Sequence, residues 1–194
     1  MSDARERVLE ATYACVARFG MGKTTLEDVA RESGISRATI YRLFPGGKDQ
    51  LLRETVGWEM ARFFARLAEQ VADAPDFAAL VERGLVFARR SLLGHEVLQK
   101  VLVTEPERLL PLLTVEQSRV VERISAFLLP YVQREQDAGR LQAGIEPARA
   151  ADHVARMLLS LIASPGRWDL EDVEQVHRLV RDELLGGILA GRGG

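Results

Sequence analysis

The chain has 194 residues, of which 47% are apolar and 28% charged, enough to bury a substantial core in one or two small domains. A formal net charge of −2 excludes a generally basic nucleic-acid coat protein, so any DNA contact has to rest on positive charge gathered locally. The lone cysteine, Cys15, excludes an intrachain disulfide and suits a reducing cytosol. The charged start, MSDARERVLEA, lacks the apolar run of a secretory signal. Apolar runs such as MLLSLIA at 157–163 fall short of the roughly 18–20 residues that span a bilayer. A soluble cytoplasmic protein with no membrane partner is expected.

The hydrophobic periodicity predicts an all-α chain, with helices at about 4–19, 25–32, 36–43, 47–72, 76–93, 95–104, 114–138, 146–163 and 170–189. Gly20 and Gly22 end the first helix, and Thr25 is placed to cap the second. Ser33-Gly34 stops the second helix. Ser36 caps the third, with Ile35 and Ile40 spaced as a hydrophobic staple. Pro45-Gly46-Gly47 ends the third helix, and Pro75 with Asp76 as N-cap separates the fourth from the fifth. Glu105-Pro106 and Pro111 predict an irregular middle, and Pro130 a kink near Ala126. Gly139, Gly144 and Pro147 mark a turn, and Ser164-Pro165-Gly166 parts the last two long helices. Three short helices followed by six longer ones suggest domains at 1–46 and 47–194.

Residues 25–44, TLEDVARESGISRATIYRLF, change character at Gly34. Leu26, Val29 and Ala30 make one apolar face before it. After it, Ile40, Leu43 and Phe44 point toward Val8, Ala11, Thr12, Cys15 and Phe19 of the first helix. Arg37, Ala38, Thr39, Tyr41 and Arg42 are left to face solvent or a partner. Two helices joined by a glycine-containing turn form a helix-turn-helix, whose second helix enters the DNA major groove. From Ile35 to Lys48 there are three cations, Arg37, Arg42 and Lys48, and no acid. That clearance suits a face inserted beside phosphates.

The stretch ARERVLEATYACVARFGMGKTTLEDVARESGISRATIYRLFPGGKDQLL resembles the DNA-binding domain of the TetR (tetracycline-repressor-like) bacterial transcription regulators. The shared features are the first helix ending in F-G, the T-T-L-x-D-V-A start, the S-G-I-S turn, the T-I-Y-R-L-F recognition helix and the L-L opening of the fourth. The resemblance covers roughly residues 5–52. It implies phosphate contacts from Thr25, Tyr41 and Lys48, with Ser36 capping the reading helix and Lys23 and Thr24 near the DNA backbone. Arg37, Ala38 and Thr39 match the base-facing positions, where Arg37 can take guanine O6 and N7 with both arms of its guanidinium. Arg42 lies on the same exposed flank. One departure is Phe44-Pro45-Gly46-Gly47-Lys48, a residue longer than the family's F-P-S-K, which puts the reach of Lys48 in question.

The resemblance further implies a ligand-responsive repressor with a helical ligand-binding and dimerisation domain. Candidates to line a cavity for a small apolar effector are Met60, Phe64, Phe87, Leu102, Phe127, Tyr131 and Met157, with His95, Gln99 and Ser125 as polar anchors. The helices at about 146–163 and 170–189 carry broad apolar stripes and are expected to pair with a second copy. The fourth helix joins head to effector domain. A ligand that shifts it would change DNA affinity by its differential affinity for the two states.

Two other readings compete. In a ligand-blind DNA-binding dimer, the helical domain serves assembly alone. A nucleotide-hydrolysing enzyme would use residues 17–24, ARFGMGKT, which nearly spell a phosphate-binding loop. That loop must follow a strand, whereas here it follows a helix, and Gly20-Met21-Gly22 reads as a helix stop. Glu174 and His177 have di-iron spacing but no second copy, and His95 and His153 stand alone. No nucleophile–base–acid set emerges. The chain is read as neither an enzyme nor a carrier of a metal or cofactor.

Overall fold

Each short helix of the N-terminal region begins at a side chain that satisfies its free backbone N–H groups. The computed structural model describes residues 2–190, with side chains described for 3–111 and 120–190. Helix α1 spans Ser2–Phe19, α2 Leu26–Ser33, α3 Arg37–Leu43 and α4 Gly47–Val71. Thr25 caps α2 in a reciprocal box with Asp28, and Ser36 caps α3 by accepting from the Thr39 N–H. Gly34 closes α2 at φ +67°, the left-handed turn that a Cβ would strain. Then follow α5 Phe77–Leu93, capped by Asp76, α6 Glu96–Thr104, capped by His95 Nδ1, and α7 Pro106–Asp137. Helix α8 is Pro147–Ala163 and α9 is Val173–Arg178, which runs on as a π-helical turn over Leu179–Leu184.

Two expectations give way. Helix α7 starts at Pro106, not near 114, and is helical through Pro111 and Pro130. Proline at the first helical position costs no hydrogen bond, which lets Pro106 open the helix rather than break it. The last helix starts at Val173, three residues later than expected, because Asp172 is its cap. There the Leu185 N–H reaches five residues back to the Val180 carbonyl, and the widened turn buries the neighbours Leu184 and Leu185 together.

The described chain divides into two compact units. One holds the residues up to Arg66 together with His95–Thr114; the other holds Leu67–Gly94 and the chain from Val115 onward. The first unit therefore takes in α6 and the start of α7, well beyond the head expected at 1–46. Its core joins Val8, Ala11 and Cys15 of α1 to Val29, Ile40, Phe44 and Leu51. Beside it, Val16 and Met21 pack with Leu52, Val101 and Leu109. Phe19, expected to point inward, is 40% exposed because the inner stripe of α1 passes from Cys15 to Val16 instead.

The second unit centres on Leu80, Val81 and Leu85 of α5, Val132 of α7, Val154 of α8 and Val180. Its C-terminal segment carries an antiparallel bridge, Leu141 with Leu189, the one extended pairing among the described residues, and buries Leu185 and Ile188 in the same core. Among the described residues, no helix is long and apolar enough to cross a membrane.

Phe44 is fully buried and closes the first core. Phe44→Ala should cost roughly 3–5 kcal/mol, the usual range for emptying a buried aromatic position. Urea denaturation measures this, and an unchanged midpoint would show that Phe44 is not part of a packed core.

Candidate nucleic-acid interface

Helix α3 has seven residues and is oriented by what it buries. Ile40 is fully enclosed, and Leu43 and Ile35 pack against the same cluster. The opposite flank is therefore presented outward. Ser36, Arg37, Ala38, Tyr41 and Arg42 are exposed, and Thr39 is half-buried. The expected flank is thus turned outward, and no acid of α3 shares it.

Two arginines of α1 hold this frame. Arg7 donates to the Ser33 carbonyl at 2.8 Å, at the end of α2. Arg5 donates to the Leu43 carbonyl at 3.0 Å, at the end of α3, pairs with Glu54 and lies 4.5 Å over the Phe44 ring. Cations at helix C-termini meet carbonyls that lack intrahelical partners, and the helix dipole favours them. Sequence reasoning missed both residues, because only the fold brings positions 26 and 38 residues apart together.

The Thr25 hydroxyl accepts from the Asp28 N–H at 3.1 Å and donates to the Asp28 carboxylate at 2.6 Å. That hydroxyl bond, with the Thr25 N–H and the Arg31 guanidinium, sets the Asp28 carboxyl below its ordinary pKa against the opposing cost of desolvation. Thr25 is exposed, but its proton is committed to the cap.

Two expected phosphate contacts are differently engaged. Thr24 is 2% exposed, and its hydroxyl donates to the Gly20 carbonyl at 2.7 Å, so it builds the turn and offers nothing to a partner. Its neighbour Lys23 is exposed. Lys48 is half-buried and donates to the Gly22 carbonyl at 2.7 Å. Burial, then the nearby Arg108 guanidinium, lowers the pKa of its ammonium.

The same turn receives the Glu105 carboxylate. Glu105 accepts from the Met21 N–H at 2.9 Å and the Gly22 N–H at 2.6 Å, and stands 3.5 Å from Arg108. Lys100 donates to the Ala17 carbonyl at 2.8 Å, near the end of α1. Two backbone N–H groups of the phosphate-loop-like stretch, those of Met21 and Gly22, are thus filled by a carboxylate of the protein's own chain. The stretch follows a helix, as its sequence context implies.

The ten candidate effector residues fall into both units. Met60, Phe64, His95, Gln99 and Leu102 belong to the first; Phe87, Ser125, Phe127, Tyr131 and Met157 belong to the second. Nine are half-buried and Met157 is exposed. His95 caps α6 through Nδ1, accepting from the Leu98 N–H at 3.1 Å, and its Nε2 stands 3.7 Å from Glu59. The second unit has a groove of ≈ 570 Å³ that includes Phe87 of the ten, and its walls carry Asp73, Glu82, Arg83, Arg90 and Glu171. These charges are paired: Arg83 meets Asp73 at 2.6 Å, and Arg90 holds the Glu171 carboxyl below its usual pKa.

No group of three or more His, Cys, Asp or Glu among the described residues is placed to hold a metal ion. Cys15 is buried, and burial raises its thiol pKa, which leaves it unreactive. His177 lies 3.1 Å from Glu82 on an exposed face.

On the paired-stripe expectation, α8 exposes Met157, and α9 exposes Val173. Val176, Leu179, Val180, Leu184 and Ile188 are buried in the second unit's own core. The final segment therefore has less apolar surface to offer a partner than its sequence suggested.

The profile for "Bacterial regulatory proteins, tetR family" matches residues 8–55. An uncharacterised HTH-type transcriptional regulator of Mycobacterium bovis is 30% identical over 129 residues, which cover 66% of this chain and 66% of that protein. A second uncharacterised HTH-type transcriptional regulator, from Mycobacterium tuberculosis, is 26% identical over 95% of this chain and 96% of its own length. Among solved structures, Salmonella enterica GusR superposes with a TM-score of 0.64 at 19% identity, covering 96% of this chain and 95% of that one, a likeness of fold. The relatives are described as regulators, in line with the absence of an enzyme signature in the sequence.

Gly20 sits at φ +87°, and a Cβ there would collide with Glu105. Gly20→Ala should cost at least about 1–2 kcal/mol from the left-handed backbone alone. It should also expel Glu105 from the turn. Denaturation of Gly20→Ala beside Glu105→Ala measures both; fully additive losses in the double variant would show that the glycine and the carboxylate do not share one contact.

Proposed function

The chain belongs to the tetR family of bacterial regulatory proteins, and from that premise we propose that it is a ligand-responsive transcriptional repressor that binds a palindromic DNA operator as a homodimer. The observation that carries the DNA-binding reading is the outward flank of α3. Buried Ile40 and Phe44 hold that flank in place, and it bears Arg37, Tyr41 and Arg42 with no acid of its own helix. Arg37 reads a base pair, Ala38 and Thr39 contact base edges, and Tyr41 and Arg42 take phosphates. Lys48 and Thr25 serve the register mainly by positioning the turn and the start of α2.

Two-fold pairing sets two α3 helices about one DNA turn apart, ~34–36 Å. Exposed Met157, with half-buried Leu161 and Ile162, supports pairing through α8. Effector binding rests on the half-buried Met60, Phe64, Leu102, Phe127 and Tyr131. A bound effector releases DNA if it prefers the state with the wrong head separation; a coupling of about 3 kcal/mol weakens binding roughly 150-fold. The ligand-blind reading is favoured by one observation, that the second unit's groove is walled by ion pairs and includes Phe87 as its one member of the candidate set.

Selection from a random duplex library should return an inverted repeat. Arg37→Ala should erase the preference at one base pair per half-site, a loss of roughly 1–3 kcal/mol of discrimination. Tyr41→Phe should weaken selected and random duplexes by the same factor. Equal losses on both duplexes for Arg37→Ala would remove Arg37 from base reading. Thermal-shift screening against small lipophilic compounds, with duplex release as the second readout, separates the effector reading from the ligand-blind one. A library without a single stabilising compound favours the latter.

A further inference from the structure

The exposed reading flank of α3 carries an acid in its immediate surroundings, and that acid comes from another helix. Arg37, the first residue of α3, donates through Nη1 to the Glu27 carboxylate at 3.0 Å. Glu27 is the second residue of α2, and both side chains are more than half exposed. Beside a polyanion this acid is a liability, since it repels phosphates whatever their sequence.

Capping does not account for it. The neighbouring acid Asp28 already accepts from the Thr25 N–H and hydroxyl, and it pairs with Arg31. Nor does stability account for it, because an exposed ion pair contributes little to folding.

Guanidinium geometry suggests the role. Arg has five N–H donors in a planar fork on a long flexible stem. Left free, that stem samples many rotamers, and a bidentate bond to guanine must order it. With Nη1 tied to Glu27, the Nε and Nη2 edge remains available with two parallel donors, the arrangement that guanine O6 and N7 accept. The two ends of the pair sit on α2 and α3, which the Gly34 turn and the buried Val29 and Ile40 hold together, so one packed frame sets the distance between the two backbones.

We infer that Glu27 is a positioning residue for sequence reading: it orients Arg37 toward the base edge, raising discrimination between operators while lowering affinity for all DNA. This rests on the DNA-binding reading proposed above.

The test measures Glu27→Ala and Glu27→Gln against the duplex selected by the wild-type protein and against random duplex, at one fixed salt concentration. Both variants lose the same charge, so both should bind random duplex somewhat more tightly and to the same extent. Glu27→Ala should lower the selected-to-random affinity ratio by roughly ten-fold, within the range of one bidentate base contact. Glu27→Gln should lose less, because its amide oxygen still accepts from Arg37. Adding either change to Arg37→Ala should lower the ratio no further. An unchanged ratio in both single variants, with selected and random duplexes tightening together, overturns the assignment and leaves Glu27 as a repulsive charge. A wild-type protein that prefers no duplex overturns the DNA-binding reading itself, and this assignment with it.

Discussion

A helix of seven residues cannot persist alone in water, because the cost of nucleation exceeds what so few hydrogen bonds return. Helix α3 exists because Ile40, together with Phe44 just beyond its end, is buried against α1 and α2. That burial fixes its rotation as well as its presence. With one flank spent on the core, Arg37, Ala38, Tyr41 and Arg42 have nowhere to go but outward. The rest of the interface follows from this one packing contact. The Ser36 cap sets where the helix starts, and the left-handed Gly34 sets the angle at which α2 delivers it.

Charge is distributed by the same logic. The chain is slightly acidic overall, yet cations reach the ends of the helices in the first unit. Arg7, Arg5 and Lys100 donate to carbonyls at or near the C-termini of α2, α3 and α1, and Lys48 donates to the Gly22 carbonyl. The Glu105 carboxylate takes two N–H groups of the turn that follows α1. These cations are structural, so a count of basic residues overstates what is free to meet phosphate. On α3, Arg42 and the donors of Arg37 not engaged by Glu27 keep that role.

What the sequence revealed was local. Thr25, Ser36 and Asp76 are found as caps because each bonds an N–H within three residues of itself, and the Gly34 stop needs no distant partner. Period-3.6 patterning foretold the buried side of α2 and α3, and with it the displayed flank. The start of α7 was missed because proline reads as a breaker unless its position in the first turn is known. The stripe of the last helix is broad enough in sequence for both a core and a partner, and Val176, Leu179, Val180 and Ile188 all fall in the second unit's own core. A stripe's width shows that it is covered, not by which copy.

The displayed face of α3, its freedom from acids of its own helix, and its family resemblance were determined by the sequence alone, since periodicity and capping act over a few residues. The tertiary structure decided which polar groups remain available. Lys48 became a donor to the Gly22 carbonyl, Glu27 came to pair with Arg37, and Glu105 came to accept from the turn after α1. The reason is distance: a hydrogen bond works over about 3 Å in space, and residues 10 to 84 positions apart meet at that range only once the helices have packed.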